Sequence, residues 1–566
     1  MLSIPLALAA FTHLWNVVGF PPVYVDEDDY LRRAMQVLEG GGTLDPTTRS
    51  DHPYFGQIFL ATVFKLVGYP NSLNPHPGDV HSIETLYLVP RILMGLLAIL
   101  DTFLVYKIAE WRYNRNVALI ASILFAVMPL TWFLRKVYLD SIQLPFLLSS
   151  ILFAVYPSSQ HLNTRTEHSD NNNKSTQNKN DNYNKQVLTI LLSGIFLGLA
   201  IFTKIPGLIL IPLVGYLLFT NKGRSWKKLA LWLAPVILIP LIWPVHTLLY
   251  GQFDRWVDGV LWEATRLPRP LLDSIAYVLQ IDPVLIILGM AGMVYCIVKR
   301  KRDFLPLLWI APFFILFYLL NYFSPLHIIY LIPAFCIASA ILIVKILDTI
   351  GRIIRNELKL AHITRYFTRQ RTSGEDKLHS QVGTENKVKP SSRFAQFQYL
   401  LFITAAVIVI SGLAYTAHVI SEDVTLPHFT MYAAIVKDIS NIYGSGHKNN
   451  EKITVIGPGW MEGYYWIPKD VFGKNVHFLT LPIESLPDSR FILIADKSVK
   501  DRMLTQENSN DIRILQELYK MSKVLGEYND QRVNTLPSPT SMVDQREVLG
   551  NYSGKIQIRT NLFNQK

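Results

Sequence analysis

The side chains best suited to chemistry lie early in the chain. Asp26-Glu27-Asp28-Asp29-Tyr30 sets four carboxyls beside a phenol, and Asp51-His52-Pro53-Tyr54-Phe55-Gly56-Gln57 follows. Asp26, Glu27, Asp28, Asp51 and His52 offer hard oxygens and an imidazole to a divalent metal, which leaves a metal open. No ligand spacing among them is diagnostic. A plainer role also exists, since acids at a helix N-terminus cap it and are favoured by its dipole. That role accounts for some of the acids but not for their surroundings.

Those surroundings read as elements. Leu31, Ala34, Met35 and Leu38 form an i, i+3, i+4, i+7 apolar stripe that predicts a helix, and Gly40-Gly41-Gly42 stops it. The stretch Ile58–Val67 is amphipathic and too short to span a bilayer. A loop that dips back along a membrane surface suits an interfacial active site.

A membrane is implied by the whole chain. Of 566 residues, 50% are hydrophobic and only 17% charged, where soluble domains carry about 25%. Apolar runs predict eleven spans near 2–20, 86–106, 117–134, 141–156, 187–203, 206–220, 230–250, 276–298, 304–322, 326–345 and 399–418. Global disorder, a collagen-like fibre and a disulfide scaffold are excluded, and both cysteines, Cys296 and Cys336, fall inside apolar runs. The first run lacks the basic start of a secretory signal, although its Ala-rich end leaves cleavage conceivable.

The net charge of +11 serves as an orientation signal rather than as a nucleic-acid footprint. The connections 107–116, 157–186, 221–229, 299–303 and 345–397 hold 26 Lys/Arg against 10 Asp/Glu, whereas 21–84 holds 4 against 9. The basic set is expected to face the cytoplasm and the acidic loop the exterior. The expected organisation is a membrane domain over 1–418, with a first outer loop at 21–84, a basic inner loop at 345–397 and an outer α/β domain at 419–566. Within the tail, Ile453–Ile456, Val476–Leu481 and Phe491–Ala495 read as strands, and Met431–Ile442 and Asp511–Leu525 as helices. Gly457-Pro458-Gly459 is a turn and no phosphate loop. Asn171–Lys185 and Arg371–Ser392 look disordered, and Arg352–Arg371 could lie on an anionic leaflet. There is no internal repeat, and Asn551-Tyr552-Ser553 is a sequon of the kind that occurs by chance.

Several ordered motifs resemble the GT-C membrane glycosyltransferases, and within them the protein-O-mannosyltransferase-like branch, glycosyltransferase family 39. Leu14-Trp15 with Pro21-Pro22, Asp26-Glu27 and Tyr30 are similar to that branch's first span and Asp-Glu motif. Asp51-His52-Pro53…Gly56-Gln57 is similar to its His-Pro-Pro-Leu-Gly-Lys segment, with Tyr54 and Gln57 as departures. Pro90-Arg91, Arg135…Asp140, Gly194…Gly198…Thr203-Lys204 and His327-Ile328-Ile329-Tyr330-Leu331-Ile332-Pro333 continue the order, so the resemblance covers roughly 10–340.

The resemblance implies transfer of a hexose, mannose first, from a polyprenyl or dolichyl phosphate to a hydroxyl, with inversion, outside the cytoplasm. The acceptor is a protein Ser/Thr, a lipid or a glycan. Asp26 takes the role of general base, with Glu27 as partner or alternative. The departing lipid phosphate needs fixed cations in a low-dielectric site. Arg91, Arg135, Lys204 and His327 are the candidates, and the expected topology brings all four near the outer face. Tyr30, His52, Asp140 and Tyr330 complete the substrate-binding set. The resemblance requires no metal, so none is expected as a cofactor.

Plainer roles stand beside these. Arg135 and Lys136 could flank a span end, Arg135 could pair with Asp140, Lys204 could snorkel, and His327 could be a satisfied bundle histidine. Asp101, inside an apolar run, is expected to pair within the bundle. Asp254, Arg255, Asp258, Glu263, Arg266 and Arg269 balance in charge, and nothing selects among them. An oligosaccharyltransferase would carry Trp-Trp-Asp-Tyr-Gly, and no Trp-Trp occurs. A lipid-linked-sugar transporter would show paired repeats. A non-catalytic scaffold would tolerate loss of Asp26.

Overall fold

Long apolar runs must satisfy every backbone group internally, and they do so here as helices. The computed structural model describes residues 2–21, 23, 25–40, 50–73, 79–156, 172–222, 224–265, 271–299, 305–320, 324–349, 351–352, 392–421, 453–457, 476–480, 491–495, 510–530 and 554–561, with a few isolated positions besides. In chain order the helices are α1 (Ser3–Leu14), α2 (Val25–Leu38), α3 (Phe55–Leu66), α4 (Val80–Arg112), α5 (Arg115–Val127), α6 (Leu139–Val155), α7 (Asn172–Thr203), α8 (Ile211–Asn221), α9 (Trp226–Leu249), α10 (Phe253–Ala264), α11 (Leu271–Ile281), α12 (Pro283–Lys299) and α13 (Leu305–Leu320). They are followed by α14 (Ile332–Thr349) and α15 (Ser392–Ser421). Three 3-10 turns, Pro129–Arg135, Ile205–Leu210 and Pro325–Tyr330, interrupt the bundle, each with proline in its first turn. Proline lacks the N–H that a helix interior requires, so the chain changes direction at these points.

Among the described residues, four helices are long and apolar enough to cross a membrane, or up to six spans if each of two bent pairs counts as one. Those pairs are α5 with Pro129–Arg135, bent by 66°, and Ser274–Ile281 with Pro283–Val298, bent by 112°. Each expected span coincides with one of these helices, helix pairs or shorter apolar helices. Helices α7 and α9 meet closely. A Cβ on Gly194 would lie 2.4 Å from the Trp232 carbonyl oxygen, and one on Gly198 would lie 2.6 Å from that of Pro235. The Gly194…Gly198 spacing is therefore a close-packing stripe in which two backbones meet.

Beyond α15 lies a five-stranded sheet of order β2-β1-β3-β5-β4, built from β1 (Ile453–Gly457), β2 (Val476–Thr480), β3 (Phe491–Ala495), β4 (Lys523–Asp530) and β5 (Gly554–Thr560). β1 runs parallel to β2 and β3, while β5 is antiparallel to β3 and β4. The three expected strands are present, and β4 and β5 are additions. The expected helix 511–525 is shorter, since α16 (Asn510–Met521) ends before β4. Arg559 explains the stop: its guanidinium stacks on Tyr519 at 3.8 Å and donates to the carbonyls of Tyr519 and Ser522. Of the expected helix 431–442, residues 433, 434, 437 and 438 are helical and the others lie outside the described residues.

Alternation along the strands gives the sheet two apolar faces. Ile456, Leu493 and Ala495 pack with Leu515 and Leu518 of α16. Val455, Ile492, Ile494, Ile556 and Ile558 belong to the same apolar cluster as Leu31 and Met35 of α2 and Leu60 of α3. The expected stripe of α2 is thus core, and the cluster is continuous from the first connecting segment to the sheet.

Candidate functional site

Helix α2 opens with Asp26, Glu27 and Asp28 in its first turn, where the dipole favours negative charge. A turn of 3.6 residues sends these neighbours in different directions. Glu27 is fully buried. It accepts from Arg91 Nε and Nη2 at 3.1 and 2.9 Å, and from the Val137 backbone N–H at 3.0 Å. Arg91, from the middle of α4, spends Nη1 on the carbonyls of Val17, Val18 and Pro21. Asp28 is also buried, and burial, reinforced by Glu27 and Asp29, holds its carboxyl well above the usual range. Asp26 is half-buried.

The side of α2 carrying Tyr30 faces the chemistry. Burial pushes the Tyr30 phenol well up, and Asp26, Asp140 and Asp51 add to the effect, so these carboxylates share one electrostatic neighbourhood with that hydroxyl. Asp51 is fixed by Arg33, with Nη1 at 2.7 Å, and Arg33 reaches back to Asp29 at 2.9 Å. Burial opposes the charge of Asp51, but His52 and Arg33 overcome it and hold the carboxyl below the ordinary range. The Tyr30 and His52 rings lie 6.3 Å apart.

Opposite stands a network from three elements. Lys204, which N-caps the turn after α7, donates to Asp140 at 2.7 Å. Tyr330 donates to Asp140 at 2.5 Å and lies 2.6 Å from the Gln143 side-chain oxygen. The Gln143 amide in turn donates to the carbonyls of Ala200 and Lys204. Gln143 was not among the expected site residues. One helical turn separates it from Asp140, a spacing that points to a shared face. His327 Nδ1 accepts from the Ser324 N–H in a capping box, which puts the proton of the neutral ring on Nε2. Its ring stacks on Phe317 at 4.3 Å.

The ten expected residues thus separate into layers. Asp26, Tyr30, His52, Asp140, Lys204, His327 and Tyr330 gather around one neighbourhood, tied by the ionisation of Tyr30 and by the bonds and charges on Asp140. Arg91 and Arg135 form a fully buried layer with Glu27. Arg135 donates to the carbonyls of Thr12, Trp15 and Asn16, so its bonds go to the end of α1 and not to Asp140, the alternative partner. Lys136 is buried beside Glu27 and Asp26; burial pulls its ammonium down to about 8, against their opposing attraction. Asp101 departs from expectation. Both of its oxygens are buried without a hydrogen-bond partner among the described residues.

Of the balanced charges between 254 and 269, the structure selects Glu263, whose carboxylate lies 3.9 Å from His52 Nε2. Asp51, His52 and Glu263 bring one ligand atom each within 4.8 Å of one another. That set could hold a cation, although Asp51 already serves Arg33. Arg266 and Arg269 lie outside the described residues.

Comparison with known proteins follows the same lines. Residues 3–244 match the family model described as dolichyl-phosphate-mannose-protein mannosyltransferase. No curated protein sequence matches the chain. The fold is similar to that of ArnT from Cupriavidus metallidurans in the apo state, at 12% identity and a TM-score of 0.50, covering 99% of this chain and 97% of that one. The same protein bound to undecaprenyl phosphate matches with a TM-score of 0.49 at 13% identity, over 99% of this chain and 98% of that one. The archaeal oligosaccharyltransferase AglB from Archaeoglobus fulgidus, in complex with an inhibitory peptide and a dolichol-phosphate, matches with a TM-score of 0.45 at 14% identity. The match takes in 84% of this chain, which spans 63% of the length of AglB.

Proposed function

We propose that the chain is a mannosyltransferase-like member of the GT-C membrane glycosyltransferases and moves a hexose, mannose first, from a polyprenyl or dolichyl phosphate to a hydroxyl acceptor, a protein Ser/Thr above all. Such enzymes use polyprenyl-phosphate-linked donors. In this reading Asp26 removes the acceptor proton as the oxygen attacks the anomeric carbon. The bond from that carbon to the phosphate oxygen breaks on the opposite face, which inverts the centre. The phosphate leaves with its electron pair and its lipid.

The observation that carries the division of labour is the contrast between two adjacent carboxylates. Glu27 is enclosed by Arg91 and the Val137 N–H, whereas Asp26 is half-buried and electrostatically coupled to Tyr30. A base must reach its proton, so the role falls to Asp26. Arg91 and Arg135, spent on Glu27 and on backbone carbonyls, support α2 and the end of α1 rather than meet the phosphate. Lys204 and His327 are assigned to the leaving group, with Asp140 and Tyr330 orienting Lys204. No metal is required, and the reaction belongs on the outer side of a cell membrane, with the sheet domain on that same side.

The test is sugar transfer in purified membranes from polyprenyl-phosphate mannose to Ser/Thr peptides, with lipid and glycan acceptors in parallel, by wild type, Asp26→Asn and Glu27→Gln. Undiminished transfer by Asp26→Asn removes Asp26 as the base. Transfer confined to lipid or glycan acceptors reassigns the acceptor.

A further inference from the structure

Helix α10 meets the segment before α3 where there is no room for a side chain. A Cβ on buried Gly259 would lie 2.0 Å from the Ser50 carbonyl oxygen, 2.5 Å from its carbon and 3.0 Å from the Asp51 nitrogen. One turn further on, Glu263 reaches His52. Asp51 is bound to Arg33, and Arg33 to Asp29 on α2. A continuous line of contacts therefore runs from Gly259, through 50–52, to the helix that carries Asp26.

The same face of α10 is held from a second side. Trp256 stacks on Phe253 at 5.1 Å and meets Trp243 of α9 edge-on at 5.7 Å. Trp256 and Val260 pack on the cluster of Tyr54, Phe202 and Trp243. Leu261 and Trp262, on the far side, are exposed. The Lys204–Asp140–Tyr330–Gln143 network takes its bonds from α6, the end of α7 and Pro325–Tyr330. Displacing α10 thus reaches His52 directly and α2 through Asp51 and Arg33, whereas the hydrogen bonds that fix Lys204 come from other elements.

Resting on the transfer reading above, we infer that Gly259 is a positioning residue that seats α10 against His52 and so makes α10 the acceptor-side wall of the site. Alanine at 259 demands that the backbone at Ser50 move, because the atom in the way is a carbonyl and not a flexible side chain.

Two measurements on the full-length protein test this. In steady-state transfer, Gly259→Ala raises the acceptor KM about fivefold or more and leaves the donor KM within about twofold, the pattern of a lost acceptor contact. Equal changes in both KM values, a fall in kcat alone, or no change overturns the acceptor-side role. The second measurement needs no sugar transfer. The native cysteines are buried, so His52→Cys with Glu263→Cys is joined by a short bismaleimide, and adding Gly259→Leu abolishes that link. Linking that survives Gly259→Leu, or never forms, overturns the seat. A wild type that transfers no sugar while the link behaves as expected overturns the transfer reading and the acceptor-side role with it, and leaves the seat standing.

Discussion

Glu27 and Arg91 form an ion pair in which neither side chain is exposed, and the Arg91 guanidinium also gathers three backbone carbonyls from residues 17–21. One pair thereby fixes three things at once: the first turn of α2, the middle of α4 and the chain leaving α1. Removing one partner leaves the other charge buried without compensation. Arg91→Ala is expected to destabilise the protein by about 3–5 kcal/mol, read as a lowered unfolding midpoint in detergent. Glu27→Gln, which keeps an acceptor for Arg91, should lose less. Equal midpoints for wild type and Arg91→Ala would contradict the supporting role.

Asp26 is the base in the proposed reaction. Asp26→Asn keeps the size of the side chain and should lower kcat by about 10²–10⁴, with the unfolding midpoint little changed. Single-turnover transfer in membranes separates that loss from one of folding.

In the proposed reaction Lys204 carries the charge that meets the leaving phosphate. Lys204→Met should weaken donor binding about tenfold or more, visible as a raised donor KM. Asp140→Asn frees the ammonium from its carboxylate and should move the donor KM as well, through misplacement. A donor KM that ignores both changes would exclude this network from the phosphate.

Lys136 sets a slope of stability against pH. Its folded value of about 8 lies below the ordinary 10.5, with burial the principal cause. Between these values the unfolded chain binds the proton and the folded chain does not, so the contribution of this group to stability rises with pH across that window. Unfolding midpoints from pH 8 to 10.5 should climb more in wild type than in Lys136→Met. Parallel curves would count against a buried Lys136.

Asp51, His52 and Glu263 supply a chelator test. Arg33 already neutralises Asp51, and the proposed chemistry asks for no cation there. Transfer should persist within about twofold after exhaustive EDTA treatment. Loss of transfer restored by a divalent metal would make these three residues a working cation site.

The pattern of apolar runs made the helical bundle readable in advance, because length and hydropathy alone demand internal backbone bonding. The three expected strands were legible as short apolar runs beside turn residues. β4 was not, since Val524 and Leu525 continue the apolar pattern of α16 and only the distant Arg559 ends that helix. At the site, residue types marked Asp26, Asp140 and Lys204. Whether an arginine meets a ligand or a carbonyl is a matter of tertiary direction, which no local pattern encodes. Arg91 and Arg135 look alike in sequence and both turn inward. Glu263 was indistinguishable among balanced charges until Gly259 brought its helix to His52.

The Gly194–Gly198 contact has a further consequence for substrate range. It clamps α7 to α9 backbone against backbone, and Lys204 stands at the end of that clamped helix. Its ammonium is therefore held at one depth by rigid packing instead of by an adaptable loop. A donor recognised at a fixed depth is read by its headgroup, while its tail extends into surrounding lipid. Under the proposed donor chemistry, isoprenoids of different unit counts would then present the same phosphate to the same lysine, and lipid length would fall outside what the site measures.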